Sequence, residues 1–240
     1  MSQDRLYFRQ LLAGRDYAAG DPIAAQMRNF AYLIGDRESG ECVVVDPAYA
    51  AGDLVDAAEA DGMSVSGVLV THHHPDHVGG TMFGFTLRGL KDMLERVQVP
   101  VHVNATELDW VAGITGVAPS EFTGHAHGDT VTVGSVPIEL LHTPGHTPGS
   151  QCFLVDGKLV AGDTLFLEGC GRTDFPGGDS DEMYRSLRQL AALSGDPVVY
   201  PGHWYSAEAS APLSEVRTSN YVLRPQSLEE WRVLMGEPVR

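Results

Sequence analysis

The stretch Thr71-His72-His73-His74-Pro75-Asp76-His77-Val78-Gly79-Gly80 constrains this chain more than any other. Four imidazoles and a carboxylate fall within six residues, a density that neither core packing nor an ordinary solvated loop requires. The apolar run Gly67-Val68-Leu69-Val70 precedes them and reads as a buried strand. The histidines therefore stand at a strand end, on a loop held by rigid scaffold, where functional groups collect. Imidazole and carboxylate are the usual ligands of zinc and related divalent metals. On an extended segment His72 and His74 share one side, and Asp76-His77 turn the corner towards a neighbouring position. The stretch reads as a metal site.

A chain of 240 residues with 43% hydrophobic and 20% charged side chains can bury a sizeable core, and the absence of any long linker or repeat predicts one domain over 1–240. Its 16 basic residues against 32 acidic ones give a net charge of -16, which works against nucleic acid or an anionic membrane as partner. A local positive centre can still admit small anionic substrates. Cys42, Cys152 and Cys170 are scattered and odd in number, so neither a zinc finger nor a disulfide framework is expected. The opening Met1-Ser2-Gln3-Asp4-Arg5 lacks a basic region followed by an apolar run, and no apolar stretch reaches the ~20 residues of a membrane helix. A soluble, cytoplasmic protein is the expectation.

Strands are expected over 5–12, 29–35 and 42–45, the last a continuous apolar run covered on both faces. A helix follows Gly52, capped by Asp53 and ended by Gly62, before the strand 67–70. An insertion near 81–97 is less regular, with a helix over 87–97. A strand at 99–103, a short helix at 105–112 and a mobile loop from Gly113 to Gly124 come next. Short strands at 130–133, 136–142, 151–155 and 158–161 follow, with Asp156-Gly157 as a hairpin signal. A helix over 181–194, a strand at 197–200 and a helical extension over about 206–240, including Leu228–Met235, complete the chain.

Three later strand ends carry metal-type residues: His146 in Thr143-Pro144-Gly145-His146-Thr147-Pro148-Gly149, Asp163 after Val160-Ala161-Gly162, and His203 after Tyr200-Pro201-Gly202. Taken singly, each suits a structural role; together with the histidine loop they supply two adjacent metals. The set His72-x-His74-x-Asp76-His77, His146, Asp163 and His203 resembles the metallo-β-lactamase superfamily, from about Asn29 to His203. The resemblance implies a mixed α/β, four-layer αβ/βα sandwich with its site at the edge between two sheets. It assigns His72, His74 and His146 to one metal, Asp76, His77 and His203 to a second, and Asp163 to both. Gly162-Asp163-Thr164-Leu165-Phe166, Gly169-Cys170-Gly171-Arg172-Thr173-Asp174 and Tyr200-Pro201-Gly202-His203 are similar to the glyoxalase II group, which includes hydroxyacylglutathione hydrolases and persulfide dioxygenases.

Among the remaining candidates, Arg172 is expected to hold a substrate carboxylate or to form a plain salt bridge. His73 is expected to meet solvent or partners behind the ligands, and His142 to support His146. His102, His125 and His127 read as surface or loop residues, the His125-Ala126-His127 pair as an adventitious metal binder, and Cys170 as structural.

Two chemistries fit these ligands. In the first, two divalent ions (zinc foremost, iron or manganese as alternatives) activate a hydroxide that cleaves a thioester, with Asp76 and Asp163 as the catalytic carboxylates. In the second, one Fe(II), which the resemblance to the persulfide dioxygenases implies on His72, His146 and Asp163, uses oxygen to oxidise a thiol persulfide. Only the 37 residues from Trp204 to Arg240 follow His203, too few for the helical domain that binds glutathione in full-length glyoxalase II, so the carrier thiol stays open. The hydrolase is the preferred reading. Its expected partner is a small-molecule thioester or thiol-derived substrate, with a homodimer left as an option. A non-catalytic metal-binding module and a nuclease are the weaker readings.

Overall fold

The computed structural model describes residues 5–236; the leader reading on Met1–Asp4 and the last four residues of the helical extension lie outside them. The first half runs β1 (Leu6–Leu12), α1 (Pro22–Met27), β2 (Phe30–Asp36), β3 (Glu41–Val45), α2 (Ala51–Ala60), β4 (Ser64–Leu69), α3 (Pro75–Val78), β5 (Gly80–Met82), β6 (Phe85–Leu87), α4 (Leu90–Arg96), β7 (Val101–Asn104), α5 (Leu108–Thr115) and β8 (Phe122–His125). The second half runs β9 (Thr130–Val133), β10 (Val136–His142), β11 (Gln151–Val155), β12 (Lys158–Gly162), α6 (Ser180–Ala191), β13 (Val198–Pro201), β14 (Ala211–Pro212), α7 (Leu213–Ser219) and α8 (Leu228–Met235).

Two six-stranded sheets result, ordered β1-β2-β3-β4-β7-β8 and β14-β13-β12-β11-β10-β9, with β5-β6 a separate hairpin. Strand alternation explains the layering. On β3, Val43 and Val45 face the core between the sheets, with Ile34, Leu69, Ile138, Phe153 and Val160. Cys42 and Val44 face outward to a second core with Leu54 and Val55 of α2 and Leu90 and Met93 of α4. On β12, Val160 points inward while Leu159 and Ala161 meet a third core with Met183 and Leu187 of α6, Val216 of α7 and Trp231 of α8. Covered on both faces, these strands are apolar beyond their first residues, Glu41 and Lys158, as the run 42–45 predicts. The four layers are those of the metallo-β-lactamase sandwich.

The hairpin signal at Asp156-Gly157 is confirmed: φ is 43° and 73° at the two residues, and β11 pairs antiparallel with β12 around them. Several expectations need correction. Asp53 does not cap α2. The helix begins two residues earlier, without a side-chain cap, and Asp53 Oδ2 instead accepts from Ala18 N at 2.8 Å. The insertion forms the β5–β6 hairpin, turned by Phe83 and Gly84 at φ 50° and 82°, and leaves only Leu90–Arg96 as helix. The helix expected at 105–112 starts later, because the Asn104 side chain accepts from Thr106 N (3.0 Å) and makes a turn there. The expected loop 113–124 is structured: α5 continues to Thr115, and Phe122 pairs with Val101 to place β8 on the sheet edge.

At one end of the sandwich the strand ends meet. Gln151 N donates to Thr71 O (2.9 Å), and Phe30 N donates to Gly202 O (2.8 Å), fastening the two sheets to each other beside the histidine loop.

Candidate metal centre

All seven ligand-type residues named from the sequence converge at this rim. The turn after β4 carries His72 and His74, and α3 carries Asp76 and His77. The β10–β11 turn carries His146, and the ends of β12 and β13 carry Asp163 and His203. The His72, His74 and His146 rings lie 4.5 to 4.8 Å apart, centroid to centroid. Their ligand atoms fall within 4.8 Å of one another, as do those of Asp76, His77 and His203. Asp163 lies between the groups: one oxygen is 3.7 Å from His146 Nε2 and 3.3 Å from His203 Nε2, and the other is 3.4 Å from His77 Nε2. Such closeness needs Gly202, where a Cβ would stand 2.2 Å from Asp163 Oδ1.

The partners behind the rings fix their tautomers. His146 Nδ1 faces the carbonyl of Arg172 (2.6 Å) and His203 Nδ1 faces that of Met27 (2.9 Å). A carbonyl only accepts, so in both rings Nδ1 carries the hydrogen and Nε2 presents its lone pair to the centre. Asp46 does the same for two further rings. Its carboxylate accepts from Thr71 N and Oγ1 (2.8 and 2.6 Å) and lies 2.9 Å from His77 Nδ1. Thr71 Oγ1, its hydrogen committed to Asp46, accepts in turn from His72 Nδ1 (2.9 Å).

The donor set fits a metal on the protein's own terms. His72 Nε2, His146 Nε2 and Asp163 Oδ1 are buried without a hydrogen-bond partner, and all belong to this cluster. Buried polar atoms are rarely left so. The His77 and His203 Nε2 atoms face each other at 3.2 Å, an approach that two lone pairs make only around a proton or a cation. Burial and neighbouring imidazoles push His72 well down and His74 to about 3, favouring the neutral rings that ligate. For His77, burial opposes charge, but the carboxylates of Asp163, Asp76 and Asp46 outweigh it and lift the group to about 10. Burial would raise Asp163, yet His203 and His77 hold it far below the usual carboxylate range. The centre therefore draws positive charge.

Other sequence candidates go elsewhere. His73 is buried rather than solvent-facing: it lies 2.5 Å from Glu107 Oε1 and stacks on Trp110 at 4.9 Å. His142 Nε2 reaches Pro148 O (2.9 Å), so it supports the turn that carries His146 rather than the ring itself. His102 and His125 are not loop residues; they sit on adjacent strands with Nδ1 and Nε2 2.9 Å apart. His127 does not join His125, because its Nδ1 accepts from His142 N. Cys170 packs against the third core, its thiol pushed up to about 12 by burial. The Arg172 guanidinium is exposed, pairs with both oxygens of Asp174 (2.9 and 2.6 Å), and stands 4.5 Å over the Phe175 ring. Phe175 in turn meets the His74 ring edge-on at 5.4 Å.

The sequence reading missed Asp46, Glu107 and Asn29. Asn29 accepts from Tyr49 Oη (2.9 Å) and donates to Asp76 Oδ2 (3.1 Å). Asp46 carries the same signal as Asp163, a carboxylate just beyond an apolar strand.

This sandwich and rim define a class. The chain belongs to the metallo-β-lactamase superfamily, whose sequence profile matches residues 26–203, and it is an enzyme of that metal-binding superfamily. It is 35% identical to the hydroxyacylglutathione hydrolase of Xanthomonas campestris over 79% of this chain and 67% of that one. It is 31% identical to the mitochondrial persulfide dioxygenase ETHE1 of Homo sapiens, over 86% of this chain and 76% of that one. Among solved structures, ETHE1 from Myxococcus xanthus superposes with a TM-score of 0.76 at 28% identity, covering 96% of this chain and 90% of that one. Among the described residues no helix is long and apolar enough to cross a membrane.

Proposed function

We propose that the chain is a metal-dependent hydrolase of the glyoxalase II type that cleaves a thioester. The observation that carries this reading is the position of Asp163 between two complete donor groups, within 3.7 Å of imidazoles from each. His72, His74 and His146 would hold one divalent ion, Asp76, His77 and His203 a second, and Asp163 both; zinc suits this nitrogen and oxygen set. Ions bound there supply Lewis acidity and lower the pKa of water from about 15.7 to roughly 7.

The protein's residues do the remaining work. Asp76, fixed by Asn29, is the carboxylate placed to orient the attacking water, and Asp163 the one that would hold both ions and the water between the two donor groups. The leaving group departs as a thiolate, whose conjugate acid has an ordinary pKa near 8.5, and so needs no general acid. Arg172, exposed beside Phe175, exchanges Asp174 for a carboxylate on the substrate.

One observation favours a second reading, a mononuclear iron persulfide dioxygenase. The atoms without partners, His72 Nε2, His146 Nε2 and Asp163 Oδ1, form a two-histidine, one-carboxylate set, while the Asn29 amide already faces the other group. Assays under nitrogen and in air separate the two. Cleavage of an acyl-thiol under nitrogen, with no oxygen uptake on a thiol persulfide in air, supports the hydrolase. Persulfide-dependent oxygen uptake without thioester cleavage rejects it for the dioxygenase.

A further inference from the structure

Glu107 immediately precedes α5 and is fully buried, yet it touches none of the seven ligand-type residues through its carboxylate. Instead it joins the two loops that carry the first group. Oε1 accepts from His73 N (2.9 Å) and from Thr147 Oγ1 (2.7 Å), and lies 2.5 Å from His73 Nδ1. Oε2 accepts from Gly149 N (2.6 Å). His73 is the residue between His72 and His74, and Thr147 follows His146. One carboxylate thus grips the backbone between two ligand positions on one loop and both sides of the turn beyond a third.

The grip is stiff. Hydrogen bonds to an ionised acceptor are shorter and roughly twice as strong as neutral ones, and burial strengthens them further. Trp110, one turn further along α5, stacks on the His73 ring with an interplanar angle of 19°. The turn side admits no slack: a Cβ at Gly149 would stand 2.5 Å from the Glu107 Cβ and 2.7 Å from Oε2.

We propose that Glu107 is a positioning residue, which sets the spacing of His72 and His74 against His146 and thereby the metal affinity of that group. The proposal rests on those histidines being ligands, which both readings of the reaction share in whole or in part, and not on which reaction the enzyme performs.

The test is titration of metal-free protein with zinc against a chelating indicator, for the wild type and Glu107→Gln. Glutamine cannot accept from both His73 and Gly149, so one buried N–H loses its partner. The expected result is a binding step weakened by roughly 10–100-fold, the scale for lost outer partners of ligands. A second binding step, where present, keeps its affinity, because no bond of Glu107 reaches Asp76, His77 or His203. Unchanged zinc affinity with a lowered Tm of the metal-free protein would make Glu107 a plain structural tie and overturn the proposal. Should Glu107→Gln fail to fold, Thr147→Val removes a single donor. A severalfold weaker binding step supports the proposal, and wild-type affinity overturns it. A wild type that binds no zinc, iron or manganese would sink the ligand reading itself, a different failure.

Discussion

Asp36 and Asp163 are both buried carboxylates at places where the two sheets meet, at opposite ends of the sandwich. Asp36 closes β2 far from the rim and is fully satisfied by the protein. It accepts from Arg5 Nε and Nη2, from Glu38 N (2.9 Å) and, across to the second sheet, from Ser135 N (2.8 Å). Asp163 has one oxygen, Oδ1, with no hydrogen-bond partner and 3.4 Å from His77 Nε2, while its Oδ2 lies 3.3 Å from His203 Nε2. Both acids are held below the usual carboxylate range, Asp36 by the Arg5 guanidinium and Asp163, against its burial, by its histidine neighbours. The difference lies in completeness. Where every donor and acceptor is matched, the cluster is scaffold; where several neighbouring buried atoms lack partners, the cluster is suited to a partner from outside the chain.

The largest effect that follows is from Asp163→Asn. Activity should fall by more than the roughly 100-fold upper figure for lost outer partners, and bound metal should drop with it. The metal-free Tm should fall only in part with it, since His203 and His77 favour the charged carboxylate in the metal-free protein, so the loss of metal is what separates this variant from one at Asp36. A large drop in metal-free Tm with metal content intact would erase the contrast with Asp36. Asp46→Asn comes next, because it loosens Thr71 and His77 together without touching a ligand atom directed at the centre. Chelator competition should show metal affinity weakened by roughly 10–100-fold.

Asp36→Asn should act in the opposite sense, lowering Tm by roughly 5 °C while metal content and kcat/KM stay at wild-type values. Altered metal binding in this variant would mean the two ends are coupled. The smallest effect is in the pH dependence. The Asp36 folded-state pKa lies below the ~3.9 of an unfolded aspartate, so its stabilisation is complete above about pH 4 and is lost as pH falls towards the folded value. The Tm gap between wild type and Asp36→Asn, measured on metal-free protein, should therefore narrow below about pH 4. A gap that stays constant there would show that Arg5 does not hold Asp36 in its charged form.

The site was more legible in the sequence than the scaffold around it. Each of the seven ligand-type residues follows an apolar strand or a proline-glycine turn, and those signals are local. Glu107 escaped because its role depends on three donors from two distant loops, and nothing beside it in the sequence marks it. Asp46 escaped because Asp-Pro reads first as the end of a strand. Among the elements, the apolar runs and the Asp156-Gly157 turn gave β9 to β13 to within a residue, whereas β14 fell in the stretch 206–240 expected to be helical. The β5–β6 hairpin did not declare itself, since three-residue strands turning through a left-handed Phe83 leave no periodic pattern. The segment 113–124 looked like loop because glycines flank it, although Val117 and Phe122 are drawn into the outer core.

The most direct test counts metal ions. Metal-free protein, titrated with zinc under chelator competition and analysed for bound metal per chain, should take up two equivalents in the wild type and lose both steps, or have them severely weakened, in Asp163→Asn. Saturation at one equivalent, with iron preferred over zinc, would contradict two ions sharing Asp163 and leave the mononuclear dioxygenase standing.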